Sequence, residues 1–225
     1  MKSAGASAEP VSTRRRIRDA AIRLFGENGF AATSMRDLAG ATGLQAASLY
    51  GHFASKEDLL LEVLDDLGDV FLAGAKAIVA SRASAEGKLR ALFVFHFRVV
   101  SGNLFAATVH FHEYRHLSAE RKRRIVRKRD DYGRAVSAIV AGGIADGSFR
   151  EVDLSLTTIQ ILSVLNYTYH WYSPRGPRSS GELAALFAET FLHGLASRAG
   201  VPAKKARAKA AAPRAAPSSR LRKGA

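Results

Sequence analysis

The chain has 225 residues, 47% of them hydrophobic, a formal charge of +14 and no cysteine. That length allows one large or two small domains with a sizeable core, and the missing thiols exclude a disulfide framework, a Cys-ligated zinc site and a cysteine nucleophile. The charge points to a polyanion, either nucleic acid or an acidic membrane surface, although residues 201–225 hold eight Lys and Arg with no acid, which leaves +6 on residues 1–200.

Residues 1–11 are rich in Ala and Ser and read as a disordered arm. The first twenty residues lack an apolar signal core, and no run of 18 apolar residues occurs. The expectation is therefore a cytoplasmic protein, associated with the nucleoid, with no membrane span. Ile17, Ala20, Ala21, Leu24 and Phe25 form one face of a first helix, with Gly26 and Gly29 punctuating its end. Ser34 with Asp37 three residues on is a capping-box start. The short helix it opens turns on Met35, Leu38 and Ala39 and stops at Gly43. A third helix, about residues 45–53, carries Leu49 and Phe53. Ser55 and Asp58 repeat the cap before a long fourth helix through Leu60, Val63, Leu64, Leu67 and Phe71.

Further helices are expected at 85–101, 103–116, 118–146, 153–173 and 180–198. Ser118, Gly147, Asp153, Pro174 and Pro177 punctuate them. No alternating strand is evident. The fold class is all-α, divided into a helix-turn-helix head at 12–58 (the motif at about 34–53), a helical body at 59–199 for effector binding and dimerisation, and a flexible basic tail at 200–225.

Two short helices joined at a glycine are the geometry of a DNA-binding helix-turn-helix, although a generic three-helix bundle would show the same caps. Leu49 and Phe53, four apart, can dock the second helix on the core, leaving Gln45, Ala46, Ser48 and His52 outward. Gln45 suits an adenine edge, Ser48 either base type, and Ala46 or Ala47 a thymine methyl. Tyr50 and His52 are placed for phosphates, as is Lys56 at a helix N-terminus. Arg14, Arg15 and Arg16 precede the first helix and could reach a phosphate or the minor groove.

The stretch Arg16 to Leu64, RIRDAAIRLFGENGFAATSMRDLAGATGLQAASLYGHFASKEDLLLEVL, resembles the amino-terminal domain of TetR-type repressors. The resemblance implies that Ser34, Arg36, Gln45, Ala46, Ser48, Tyr50, His52 and Lys56 face DNA. Gln45 departs from the family's frequent Ser or Thr, and Ala47 from its frequent Gly, so the operator sequence cannot be carried over.

In the body, the expected helix at 153–173 is apolar on nearly every side, and a helix apolar all round is buried. With the last helix it would build a two-fold, four-helix dimer interface through Leu154, Ile161, Leu165, Leu183, Phe187 and Phe191. The segments HEYRHLSAERKRRIVRKRDDYGRAV (112–136), GIADGSFREVD (143–153) and LNYTYHWYSPRGPRSSGELAALFAETFLHGL (165–195) resemble a TetR subgroup. Its members repress fatty-acid or sterol-side-chain catabolism and respond to acyl-CoA thioesters.

That resemblance implies an apolar tunnel with a basic mouth. The candidates are Phe97, Phe105, Val109, His112, Arg115, His116, Asn166, Tyr167, His170 and Trp171 as effector residues, with the Lys/Arg run at 115–134 for CoA phosphates. It also implies a homodimer bound to double-stranded operator DNA. A regulator of efflux, or of another catabolic system, sensing a different hydrophobic ligand is the alternative.

His112-Glu113-Tyr114-Arg115-His116 matches the H-E-x-x-H pattern of zinc hydrolases, the more distant alternative. An extended motif would place Gly at 119 and His at 122, where this chain has Ala119 and Lys122. The expectation is no catalytic residue, no metal and no cofactor. The remaining histidines, His96, His110 and His193, read as core or surface.

Overall fold

The computed structural model describes residues 12–194; the expected arm (1–11) and basic tail (200–225) lie outside the described residues. Helix α1 (Thr13–Asn28) opens on Ser12, whose hydroxyl accepts the Arg15 N–H, and turns Ile17, Ala21 and Phe25 inward. It runs on through Gly26 and ends at Gly29, where φ is 83°, so only the second of the two expected glycine stops operates.

Helix α2 (Met35–Thr42) has the reciprocal cap read from its sequence: Ser34 Oγ accepts from the Asp37 N–H, and the Asp37 carboxylate accepts from the Ser34 N–H at 2.8 Å. Gly43 then turns left-handed, at φ 66° and ψ 23°, and the Leu44 N–H reaches back to the Ala39 carbonyl at 3.0 Å. That reversal launches α3 (Ala46–His52) across α2. Helix α4 (Lys56–Ala80) starts on Ser55, which accepts from the Asp58 N–H.

The body adds α5 (Ala85–Gly102), α6 (Leu104–His112), a 3-10 turn at Glu113–His116, α7 (Ala119–Ala145), α8 (Leu154–Asn166), one turn of α9 (Thr168–Trp171) and α10 (Ser180–His193). No strand occurs among the described residues, and among them no single helix is long and apolar enough to cross a membrane.

Several helix ends differ from expectation. The helix at 103–116 tightens to 3-10 geometry after His112, and that at 153–173 breaks at Tyr167. The last helix stops at Gly194, with φ 69°; the rest of its expected span is outside the described residues. Ser118 stands at the N-cap position without a side-chain cap, and its N–H instead donates to Glu57 Oε1 of α4 at 2.6 Å.

Two apolar clusters organise the described residues. The head's cluster gathers Ile17 and Phe25 of α1, Leu38 of α2, Leu49 and Phe53, and Leu59 to Leu64 of α4, and it also takes in Val109, Leu117 and Ile125 from the body. Residue 58 is thus no packing boundary, because the first turns of α4 belong to the head's core. The second cluster centres on Phe71, Phe93, Phe97, Val136, Ile139, Ile161 and Leu165.

Helix α4 also carries acids that face cations on both neighbours. Glu62 takes Arg14 and Asp66 takes Arg18 from α1, while Glu57 and Asp58 take Arg121, Asp65 takes Arg124, and Lys128 bridges Asp65 and Asp69 (2.7 Å to Asp69) from α7. Several of these groups are partly shielded from water, where an ion pair weakens less with salt.

Candidate nucleic-acid interface and ligand cavity

Leu49 is fully buried and Phe53 nearly so; together they seat α3 on the head. The rest of α3 is surface: Gln45, Ala46, Ala47, Ser48 and Tyr50 are all exposed, Tyr50 at 54%. Gln45 is the N-cap residue, yet its side chain makes no capping bond. Its carboxamide is therefore available to a base edge, beside alanines small enough to let the helix sit deep in a major groove. Ser34 and Arg36 at the start of α2 are also exposed, although the Ser34 hydroxyl is engaged by its own cap.

The expected phosphate anchors fare differently. Arg14 pairs with Glu62, donates to the His52 carbonyl at 2.7 Å and lies 4.2 Å over the Phe53 ring. Arg16 donates to the Thr42 carbonyl at 2.9 Å, at the end of α2. Lys56 donates to the carbonyls of Phe30 at 2.8 Å and Thr33 at 2.6 Å and sits 4.3 Å over the Phe30 ring. Burial of this ammonium pulls its pKa below the usual lysine value. Arg14 and Lys56 place most of their donors inside the head, whereas Arg16, exposed, spends one on it. Arg15 points outward, with Asp19 3.8 Å away. His52 is half-buried at the end of α3.

The body contains a cavity of about 220 Å³ between α4, α5, α6, α7 and α8. Phe71, Phe111 and Leu162 give it apolar walls, beside Gly68; His96, His110, Tyr132, Lys128, Arg129, Asp130 and Asn166 give it polar ones. His96 Nδ1 and the Tyr132 hydroxyl share a 2.9 Å hydrogen bond, and His110 Nδ1–H donates to the Leu64 carbonyl at 3.1 Å. Burial pushes each histidine down to about 3, assisted at His110 by the charge of Arg129, so both rings are neutral.

Arg129 donates to the His110 carbonyl and stacks 3.9 Å over Tyr114. It makes no ion pair among the described residues, its Nε is buried without a hydrogen-bond partner, and desolvation lowers its pKa.

Of the ten expected effector residues, only Asn166 lines this cavity. Phe97 is buried in the body core against Phe187. Phe105 lies against Gly26 of α1 and is 42% exposed, and Val109 belongs to the head's cluster. Tyr167 and His170 face outward, and Trp171 stacks on Phe187. Three residues of the basic run meant for CoA phosphates are taken by α4, since Arg121, Arg124 and Lys128 all pair with its acids. The cavity residues that sequence reasoning missed, His96, His110 and Tyr132, sit at helical spacing among apolar neighbours, which reads as core.

His112, Arg115 and His116 lie at the junction of head and body. The carboxylate of Glu113 is buried between the two imidazoles, with His112 Nδ1 3.1 Å and His116 Nε2 3.2 Å from its oxygens. A hydrolytic H-E-x-x-H needs both rings converging on one ion from one α-helical face. Here the helix ends at His112, the carboxylate occupies the space between the rings, and among the described residues no three His, Cys, Asp or Glu side chains are arranged to hold a metal.

The six expected dimer residues divide by burial. Ile161 and Leu165 are completely buried in the chain's own core, and Leu154, Leu183, Phe187 and Phe191 pack against that core. The large apolar side chains that α8, α10 and their connection leave exposed are Leu156 (58%), Ile159 (55%), Tyr167 (53%), Leu186 (44%) and Trp171 (41%).

Comparison with known proteins gives matches at both ends of the described chain. The model of bacterial regulatory proteins of the tetR family matches residues 17–63, and the tetracyclin repressor-like C-terminal domain matches residues 82–195. The HTH-type transcriptional repressor KstR2 of Rhodococcus jostii is 31% identical over 186 residues, covering 82% of this chain and 91% of that protein. Two solved structures share the fold at a TM-score of 0.77. The regulator PfmR from Thermus thermophilus is 33% identical, covering 81% of this chain and 100% of that one. The ketosteroid transcriptional regulator KstR2 of Mycobacterium tuberculosis is 28% identical, covering 86% and 100%.

Proposed function

The chain belongs to the TetR family of bacterial regulatory proteins, and on that premise we propose a homodimeric repressor that leaves a palindromic operator when an acyl-CoA thioester enters its body. It is a transcriptional regulator and not an enzyme. The observation that carries the reading is α3, docked by Leu49 and Phe53 while Gln45, Ala46, Ala47 and Ser48 stand exposed. Gln45 and Ser48 read base edges; Tyr50, with Arg36 and Arg15, meets phosphates. The protein works in the cytoplasm, on the nucleoid.

Pairing of two chains through Leu156, Ile159, Tyr167 and Leu186 would remove exposed apolar area worth about 1.5–3 kcal/mol per large side chain and set two α3 helices on one face of the duplex. For the ligand, two features support an acyl thioester: the resemblance of segments 112–136, 143–153 and 165–195 to acyl-CoA-responsive repressors, and a cavity with both apolar walls and the half-buried Arg129 guanidinium. The cavity, about 220 Å³, is below the roughly 300–1,000 Å³ of pockets that enclose a drug-sized ligand. It therefore takes the acyl end, leaving the nucleotide outside.

Selection of bound duplexes from a random pool tests the DNA reading. The expected product is a palindrome, and Gln45→Ala should relax preference at one position per half-site by about tenfold, within the 1–3 kcal/mol of a bidentate base contact. Recovery of sequences without symmetry, or an unchanged preference in the variant, would contradict it.

A further inference from the structure

The H-E-x-x-H segment does no hydrolytic chemistry, yet Glu113 is 4% exposed, a costly place for a carboxylate without several donors. It has them. One oxygen faces His112 Nδ1 at 3.1 Å, and the other faces His116 Nε2 at 3.2 Å and accepts the backbone N–H of Phe30 at 3.3 Å. That last bond crosses from the 3-10 turn of the body to the α1–α2 turn of the head, 83 residues earlier in the chain.

The neighbourhood is built around it. The Phe30 ring packs on His116 (centroids 5.4 Å) and edge-on to Phe25 (5.3 Å). The Phe30 carbonyl takes the Lys56 ammonium at 2.8 Å. Phe30 is thus held by the body at its N–H and by α4 at its carbonyl, four residues before the Ser34 cap that starts the helix-turn-helix. Gly29, at φ 83°, turns the backbone toward the carboxylate; a Cβ there would lie 3.8 Å from Glu113 Oε1. On the other side, Glu113 directly follows α6, whose His110 and Phe111 line the ligand cavity.

We propose that Glu113 is a positioning residue: its buried carboxylate, reaching from the end of the cavity-lining helix to the Phe30 amide, fixes the angle at which the head presents α2 and α3 to DNA. A hydrogen bond to a carboxylate is stronger than one between neutral groups, and losing it takes from the part-buried Phe30 amide the partner that ties it to the body. The inference rests on DNA binding alone and is independent of which ligand the body takes.

The test uses the full chain and a duplex obtained by selection. Glu113→Ala should weaken operator binding about tenfold and speed amide hydrogen exchange in residues 29–34, while exchange in α7 stays as in the unsubstituted protein. Glu113→Gln keeps an oxygen for the Phe30 N–H and should restore operator affinity to within about threefold, a rescue that general destabilisation would not give. Glu113→Asp keeps the charge but loses the reach; it should behave as the alanine variant does and serves if that variant fails to fold. Operator affinity within twofold of the unsubstituted protein, with unchanged exchange at 29–34, in the alanine or aspartate variant would overturn the proposal.

Discussion

Gly26 of α1 and Phe105 of α6 meet where the glycine has no side chain: a Cβ at position 26 would come within 2.8 Å of the Phe105 side chain and 3.0 Å of its Cα. A glycine that reads as a helix stop is therefore a contact that lets body and head pack directly. An aromatic residue that reads as part of a ligand lining is the other half of that contact. Gly26→Ala raises helix propensity by about 1 kcal/mol, but here it drives into backbone as well as side chain. The net expectation is a loss of about 1–3 kcal/mol in urea unfolding, with operator affinity reduced. A stabilised variant would show that the two helices separate freely.

Lys56 is a second joint of this kind. Its ammonium serves two carbonyls of the α1–α2 turn, and hydrogen bonds to a charged group contribute about 1.5–3 kcal/mol. Lys56→Met, which keeps the stem over the Phe30 ring, should lower stability by an amount in that range, with the loss independent of DNA. A variant with unchanged stability but a salt dependence of DNA binding shallower by about one unit would instead identify Lys56 as a phosphate contact.

The neutral buried histidines make stability depend on pH with a definite sign. His96 and His110 are held down to about 3, whereas an exposed imidazole titrates near 6.5. Below pH 6.5 the unfolded chain takes up protons that the folded chain refuses, so stability is full above about 6.5 and declines as pH falls toward 3. The loss at pH 5 is about 2 kcal/mol per histidine. Urea unfolding at pH 7.5 and 5.0 should show it, and His96→Phe should remove about half of the difference. A pH-independent midpoint would mean that both rings reach water.

The apolar faces of α8 offer a paired test. Ile159 is 55% exposed and Ile161 is fully buried, two residues apart. Ile159→Asp should give a folded monomer in sedimentation, with operator affinity reduced at least a hundredfold because half-sites are no longer bound together. Ile161→Asp buries an unpaired carboxylate and should unfold the body. A dimeric Ile159→Asp protein would place the interface elsewhere.

What could be read from the sequence was local. The Ser34–Asp37 cap, the left-handed Gly43 and the Leu49–Phe53 pair each depend on residues three or four apart, so their chemistry is written in the spacing. What could not be read was set by distant partners. Arg14, Arg16 and Lys56 look like phosphate anchors until Glu62, Thr42 and Phe30 are brought beside them. In α8, leucine and isoleucine occur on nearly every side, so the sequence does not distinguish Ile161, which faces its own core, from Ile159, which does not. The cavity escaped for a similar reason, since His96 and Tyr132 come from helices 36 residues apart and meet only in the fold.

The most direct measurement is anisotropy of a labelled, selected operator duplex titrated with the protein, with and without saturating octanoyl-CoA; octanoic acid and coenzyme A alone serve as controls. The thioester should raise the operator Kd by at least tenfold, within the roughly 5–150-fold typical of allosteric coupling, while coenzyme A leaves it unchanged. An operator Kd unchanged within twofold across acyl chains from four to eighteen carbons would contradict release by an acyl-CoA.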